Sequence, residues 1–105
     1  MKLVIPVEKL NDYIGKEIGH SDWFLVDQER INQFADVTID HQFIHIDEEK
    51  SKKGPFGSTI AHGFLTLSLL THLTDTCRLI PEGTVMGINY GFDKVRFINP
   101  VKVNS

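Results

Sequence analysis

Residues 60–77 read IAHGFLTLSLLTHLTDTC, and this segment carries most of the information about the fold. Its apolar side chains cover nearly the whole circumference of a helix, and a helix that is apolar on all sides is buried on all sides. A loop with Gly54 and Pro55 precedes it, and Ser58 or Thr59 can cap it. The segment predicts an α+β fold, with an antiparallel sheet wrapped around one long central helix.

The flanking segments predict the strands of that sheet and one more helix. Strands are expected near residues 22–26, over the alternating residues 86–92, and from 95 to 103 with an interruption at Asn99-Pro100. A helix is expected over residues 28–36. Its N-terminus is suited to an aspartate cap, and its apolar residues recur at helical spacing.

The composition is that of one globular domain, residues 1–105, in a reducing, cytoplasmic setting. Apolar content is 41%, charged content is 24%, and the net charge of −3 gives no reason to expect nucleic acid or an anionic membrane as partner. No apolar run approaches the roughly 20 residues of a membrane span. The single Cys77 cannot form an internal disulfide, and Pro6 and Glu8 interrupt the N-terminal segment too early for a signal peptide.

Residues 40–47 read DHQFIHID and place a carboxylate and an imidazole close together in sequence. Asp40 and His45 are five positions apart, a spacing that cannot bring them together on a regular helix or strand. They can meet on an irregular loop, where catalytic residues are common. Taken alone, His45 would more often be a packed structural residue, and Asp40 a turn or cap residue.

Two motifs in this order resemble a known signature. D-x-(N/Q)-x-x-H-x-D, then a Gly/Pro loop, then IAHGFLT resembles the hydratase motif of the MaoC-like dehydratases, which are (R)-specific enoyl-CoA hydratases with the hot-dog fold. The resemblance extends from about Gly15 to Val103. Two residues depart from the common pattern: Gln42 replaces an asparagine but keeps the amide, and Phe43 replaces a frequent proline, which suggests a subfamily with its own acyl pocket.

The resemblance implies reversible hydration of trans-2-enoyl-CoA to (R)-3-hydroxyacyl-CoA. Asp40 and His45 would be the acid-base pair, either of them being the formal base, because an imidazole titrates near the working pH. The coenzyme A thioester would be the substrate, no cofactor is needed, and the protein would be a homodimer. About two further long antiparallel strands are expected after Pro100-Val101, so we expect a C-terminally truncated domain or strands supplied by another chain.

Four further residues are candidates for oxyanion or substrate binding. The first helical turn at Gly63 leaves N–H groups that could hold the thioester oxygen, although close packing explains a glycine equally well. Gln42 could orient water or the catalytic pair, and His62 belongs to the signature. Thr71 could place a hydroxyl in the pocket, but bonding the carbonyl one turn back is the commoner role on an apolar helix.

Rival interpretations remain open at this point. His41 and His45 have the i, i+4 spacing of helical metal ligands, and His62, Asp40 and Asp47 are near in sequence, but no Cys or Glu-x-x-His element supports a metal site and none is predicted. A hot-dog acyl-CoA thioesterase and a non-catalytic acyl-CoA or acyl-carrier binding module are the functional alternatives. Three lysines could meet coenzyme A phosphates, but a solvated mixed-charge loop is the better interpretation: Lys50, Lys52 and Lys53.

Overall fold

A computed structural model describes residues 2–105 and divides them into two compact units. One unit contains residues 24–69 and 96–105, and the other contains residues 70–95 with the described chain up to Trp23. Within the described residues, no helix has both the length and the apolar character that crossing a membrane requires.

The unit of residues 24–69 and 96–105 contains four helices. They are α1 (Gln28–Thr38), α2 (Phe43–Ile46), α3 (Glu48–Lys52) and α4 (Gly63–Ser68). Helix α1 begins as predicted, because Oδ1 of Asp27 accepts the N–H of Arg30 at 2.9 Å. It ends two residues later than expected, and its Ile31 and Ala35 are fully buried. This apolar face is the side of α1 that forms the core.

The core of this unit lies between α1, α4 and the last residues of the chain. Val26, Ile31, Ala61 and Leu65 form it, and Val101 and Val103 are among the half-buried residues packed against it. Residues 101–105 lie beside two extended segments. The N–H of Ala61 donates to O of Val101 at 2.8 Å, and the N–H of Val26 donates to O of Ser105 at 2.9 Å.

The other unit contains the regular sheet found within residues 2–105. Its elements are β1 (Leu3–Ile5), a 3-10 helix (Val7–Tyr13), α5 (Leu70–Thr74) and β2 (Leu79–Pro81). The two strands pair in parallel, with Leu3 opposite Leu79. The predicted antiparallel pairing is confined to one isolated bridge in the first-described unit, between Ile60 and Lys102.

The central helix is shorter than predicted and is interrupted. Helical structure begins at Gly63 rather than Ile60, because Ile60 forms an antiparallel bridge with Lys102 and its carbonyl accepts the Nδ1–H of His45 in place of a helical N–H. It stops at Ser68 and resumes at Leu70. Hydroxyl groups that bond carbonyls one turn back disturb helices, and Ser68 does so to O of Phe64 at 2.6 Å.

Two further expectations differ from the structure. The prediction that this helix is buried on all sides is wrong for the described chain: Phe64 is 66% exposed, because the core covers only the face that carries Leu65. No strand forms at residues 22–26 or 86–92, although 86–92 alternate as expected. A strand requires a hydrogen-bonded neighbour, and within residues 2–105 neither segment has one in a regular ladder.

Candidate active site

Asp40 is placed by the way α1 ends. Ile39 takes the left-handed conformation, with φ of 62°, and its N–H bonds O of Ala35. The N–H of Asp40 bonds the same carbonyl at 3.1 Å. This is the hydrogen-bond pattern of a tight helix C-terminus. Asp40 therefore enters the loop at a fixed point, with an exposed side chain.

His45 is held by main-chain groups from the chain before α4. It lies on the short helix α2, it is only 6% exposed, and its Nδ1 lies 2.7 Å from O of Ile60. A carbonyl only accepts hydrogen bonds, so Nδ1 carries the proton. In the neutral ring Nε2 is then the nitrogen with the lone pair. The same stretch of chain is fixed a second time, because the N–H of Ile60 donates to O of Ile44 at 2.9 Å.

His62 joins Asp40 and His45 into one cluster. Its ring stacks on that of His45, with centroids 3.9 Å apart and planes at 22°. Its Nε2 donates to the main-chain oxygen of Asp40 at 3.0 Å. The ring is 2% exposed, and its Nδ1 is buried with no hydrogen-bond partner among residues 2–105. The loop carboxylate and two imidazoles that are distant in sequence are thus neighbours in space.

Burial lowers the pKa of His45 below its ordinary value of 6.5. The hydrogen bond to O of Ile60 acts against this, since it favours the charged ring. The adjacent His62 lowers the pKa and the carboxylate of Asp40 raises it, both to a smaller extent. The balance favours a neutral imidazole, which is the form that can accept a proton near neutral pH.

A pocket of about 300 Å³ lies beside the cluster. His45, Phe56, Gly63 and Phe97 are part of its wall. The remaining lining residues are Ile60, Ala61, Thr66, Ile98, Asn99, Pro100 and Val101. The pocket is therefore mostly apolar with one imidazole at its wall, a combination typical of small-molecule sites.

Gly63 begins α4 and is in close contact with an aromatic ring. A Cβ added at this position would lie 2.5 Å from Cδ2 of Phe97. That distance favours the packing explanation for the glycine. Oxyanion binding by Gly63 stays a prediction, since the first helical turn has N–H groups without helical partners and Gly63 lines the pocket.

The other predicted site residues lie less centrally. Gln42 is exposed and precedes α2, where its carbonyl accepts the N–H of His45 at 3.0 Å. Thr71 lies exposed on α5, in the other compact unit. Lys50 and Lys52 lie on helix α3 rather than on the expected loop, but their contacts agree with the mixed-charge interpretation: Lys50 lies over the ring of Phe43 and Lys52 pairs with Glu49. The roles of Gln42 and Thr71 stay predictions.

The sequence analysis missed Gln28, which connects the two segments that carry the cluster. Its Nε2 donates to O of His45 at 2.7 Å, and its Oε1 accepts the hydroxyl of the buried Thr59 at 2.5 Å. These contacts span 17 and 31 residues. No local pattern reports a contact over such separations, because a glutamine in the first helical turn is usually solvated.

The cluster also bears on the metal hypothesis. Asp40, His45 and His62 each offer an atom within 4.8 Å of the others, which is close enough for one ion. Of the other residues considered from spacing, His41 lies outside this group, because its Nε2 bonds Oδ1 of Asp36 at 2.8 Å. Asp47 instead caps α3 by accepting the N–H of Lys50.

Comparison with known proteins assigns the family. The MaoC-like domain matches residues 9–105. The chain belongs to the MaoC-like dehydratase family. The family resemblance inferred from the two motifs is therefore confirmed, and the Asp40 loop and the Gly63 helix start, which carry them, both lie within the matched region.

One relative and two solved structures show how similar the MaoC-like proteins are to this chain. The 3-hydroxyacyl-thioester dehydratase Z of Mycobacterium tuberculosis is 52% identical over 105 residues, which is the whole of this chain and 69% of the relative. A monoamine oxidase regulatory protein from Archaeoglobus has a TM-score of 0.70 at 27% identity, over 99% of this chain and 66% of its own. The R-hydratase PhaJ1 of Pseudomonas aeruginosa has a TM-score of 0.60 at 26% identity, over 88% and 57%.

These neighbours confirm the hot-dog fold class. They also show that the chain spans between half and about two thirds of the length of the solved relatives. Within residues 2–105 of this hot-dog domain, α4 packs on one face only and the strands are short.

Proposed function

We propose that this chain catalyses the reversible hydration of a trans-2-enoyl thioester, with coenzyme A as the thiol, to the (R)-3-hydroxyacyl thioester. The observation that carries the proposal is His45, a buried imidazole with its Nδ1 proton held by O of Ile60, at the wall of an apolar pocket beside Asp40. The names of two relatives, a 3-hydroxyacyl-thioester dehydratase and an R-hydratase, support the same reaction class.

The proposed chemistry needs one group that can accept and return a proton. Nε2 of His45 takes a proton from water while the water oxygen bonds C3 of the substrate. The electron pair of the C2–C3 double bond moves toward the thioester. The protonated His45 then returns its proton to C2. The number of protons taken and given is equal, so the pair ends as it began. Asp40 would hold the attacking water by accepting a hydrogen bond from its other O–H, and that hydrogen stays on the product hydroxyl.

The charge that grows on the thioester oxygen needs a hydrogen-bond donor. The main-chain N–H of Gly63 is the donor we propose, because the residue lines the pocket and first-turn N–H groups lack helical partners. The apolar lining formed by Phe56, Phe97 and Ile98 would receive the acyl chain. The scheme requires no cofactor in addition to the thioester substrate.

A panel of trans-2-enoyl-CoA substrates of increasing chain length tests the proposal. We expect loss of the absorbance of the conjugated thioester, no release of free thiol, and an (R)-3-hydroxyacyl product by chiral analysis. Free thiol in place of hydration would favour the thioesterase. Tight binding of every substrate without turnover would favour the binding module, and either result would refute the hydratase.

A further inference from the structure

We propose that His62 is a positioning residue, which holds the main chain at Asp40 and the ring of His45 in a fixed relation; the inference rests on the proposed function. Three contacts converge on this one side chain: the hydrogen bond to O of Asp40, the stack on His45, and a tilted contact with Phe34 at 4.9 Å. Its ring is nearly inaccessible to solvent. It therefore acts on the reaction through its two neighbours.

The hydrogen bonds define which nitrogen of His62 is protonated. Nε2 donates to a carbonyl, so it must carry a hydrogen. Nδ1 is buried without a partner in residues 2–105, and a proton there would have no acceptor. In its neutral form the ring of His62 is thus the Nε2–H tautomer.

The hydrogen bond from His62 bridges the two motifs of the sequence. Asp40 and His62 are 22 residues apart, and Asp40 lies on a loop with an exposed side chain. The tight end of α1 secures the N–H of Asp40, and His62 secures its carbonyl. With both main-chain groups fixed, the carboxylate starts from a defined position relative to His45. Misplacement of a catalytic group by about 1 Å can lower turnover about 100-fold.

Two substitutions separate the hydrogen bond from the ring. His62→Gln keeps an N–H donor at a reach similar to Nε2, and His62→Phe keeps the ring without the donor. We expect His62→Phe to lower kcat by about 10- to 100-fold with a much smaller change in KM, and His62→Gln to recover at least about tenfold of that loss. The control is the same pair at His20, an exposed histidine that also contacts a main-chain oxygen, where kcat should not change.

Two measurements do not depend on activity. Nitrogen-15 chemical shifts of the imidazoles should report His62 as the neutral Nε2–H tautomer, and amide exchange at residues 40–42 should be faster in His62→Phe than in wild type or His62→Gln. A charged or Nδ1–H ring, unchanged exchange, or equal kcat in all three proteins would overturn the proposal. If no substrate is hydrated at all, the proposed function fails, while the tautomer and exchange results still decide the role of His62.

Discussion

Main-chain carbonyls orient His45, so the candidate site needs no further side chain for this purpose. The carbonyl of Ile60 accepts its Nδ1–H, and the carbonyl of Asp40 accepts the N–H of the ring stacked on it. Carbonyl groups of a folded chain keep one protonation state, so they hold the same tautomer of the neutral ring wherever the chain is folded. A base must also be unprotonated near neutral pH, and burial favours that form because it lowers the pKa of His45.

Removing either member of the proposed pair should abolish most of the turnover. Asp40→Asn and His45→Ala are each expected to lower kcat by about 10²–10⁴-fold. His45 transfers the proton, which contributes about that much, and Asp40 positions the attacking water, where a displacement of about 1 Å can lower turnover about 100-fold. Steady-state kinetics on the best enoyl-CoA substrate gives the effect. Circular dichroism confirms that each variant is folded, and a folded variant with near-wild-type turnover would show that the residue is not catalytic.

The lowered pKa of His45 has consequences for stability and rate at acidic pH. As pH falls through 6.5 the unfolded ring takes up a proton while the folded ring still resists it, so the free energy of unfolding should decrease until pH reaches the lower, folded pKa. The acid limb of kcat/KM should likewise lie below 6.5. Urea unfolding from pH 5 to 8 checks the first effect, with His45→Gln as the control that lacks this contribution. A stability that rises toward acid in wild type relative to that control would contradict it.

Gly63 allows the packing and oxyanion roles to be separated. Gly63→Ala should cost about 1–3 kcal/mol of stability, because its methyl group would overlap the Phe97 ring. In a Phe97→Ala background the same substitution should cost much less. Turnover should nevertheless stay below that of Phe97→Ala alone if the N–H of Gly63 serves the thioester oxygen. Full recovery of turnover in the double variant would reduce Gly63 to a packing residue.

At the scale of elements, the end of α1 and the start of α4 determine where the site forms. Both ends are abrupt: α1 stops at a left-handed residue directly before Asp40, and α4 cannot begin until the pairing of Ala61 with Val101 is complete. The contact that delays α4 involves the same segment whose carbonyl orients His45. The shortened helix and the candidate site are therefore two results of one packing arrangement.

Ile39 gives a direct test of the strain at the end of α1. An isoleucine at φ of 62° is unfavourable by about 1–2 kcal/mol, and its side chain is 83% exposed, so it gains little from packing. Ile39→Gly should therefore stabilise the protein by about 1 kcal/mol. Val37→Gly, at an exposed position inside the same helix, should destabilise it by about 0.3 kcal/mol, the difference in helix propensity between valine and glycine. Equal destabilisation by both substitutions in urea unfolding would refute the strain argument.

At the scale of the whole molecule, many large apolar side chains remain at the surface. Trp23, Ile88 and Tyr90 are each more than 80% exposed. Exposed apolar area on this scale commonly marks a protein interface. We expect the homodimer that the family resemblance implies, and sedimentation velocity over a range of concentrations measures it. A monomer at all concentrations used for the activity assays would contradict this expectation.

Local chemistry determined what the sequence could predict. Aspartate before an amphipathic segment predicted the N-cap of α1 correctly, since the side-chain oxygen and the N–H it accepts are three residues apart. The two motifs identified the family, and they named Asp40, His45 and His62, which the structure brings together. A cap depends only on neighbouring residues, and a motif is read directly from their order.

Only the tertiary structure decided the remaining features. The late start of α4, the contacts of Gln28 and the stacking of two imidazoles all depend on groups that are distant in sequence. Apolar periodicity predicted a helix from residue 60, but Ile60 and Ala61 instead pair with the main chain of residues 101–102. Alternation at residues 86–92 predicted a strand that needs a neighbouring strand to form. Periodicity indicates which face a segment can bury. The hydrogen-bond partners of its backbone are distant in sequence, so only the tertiary structure determines them.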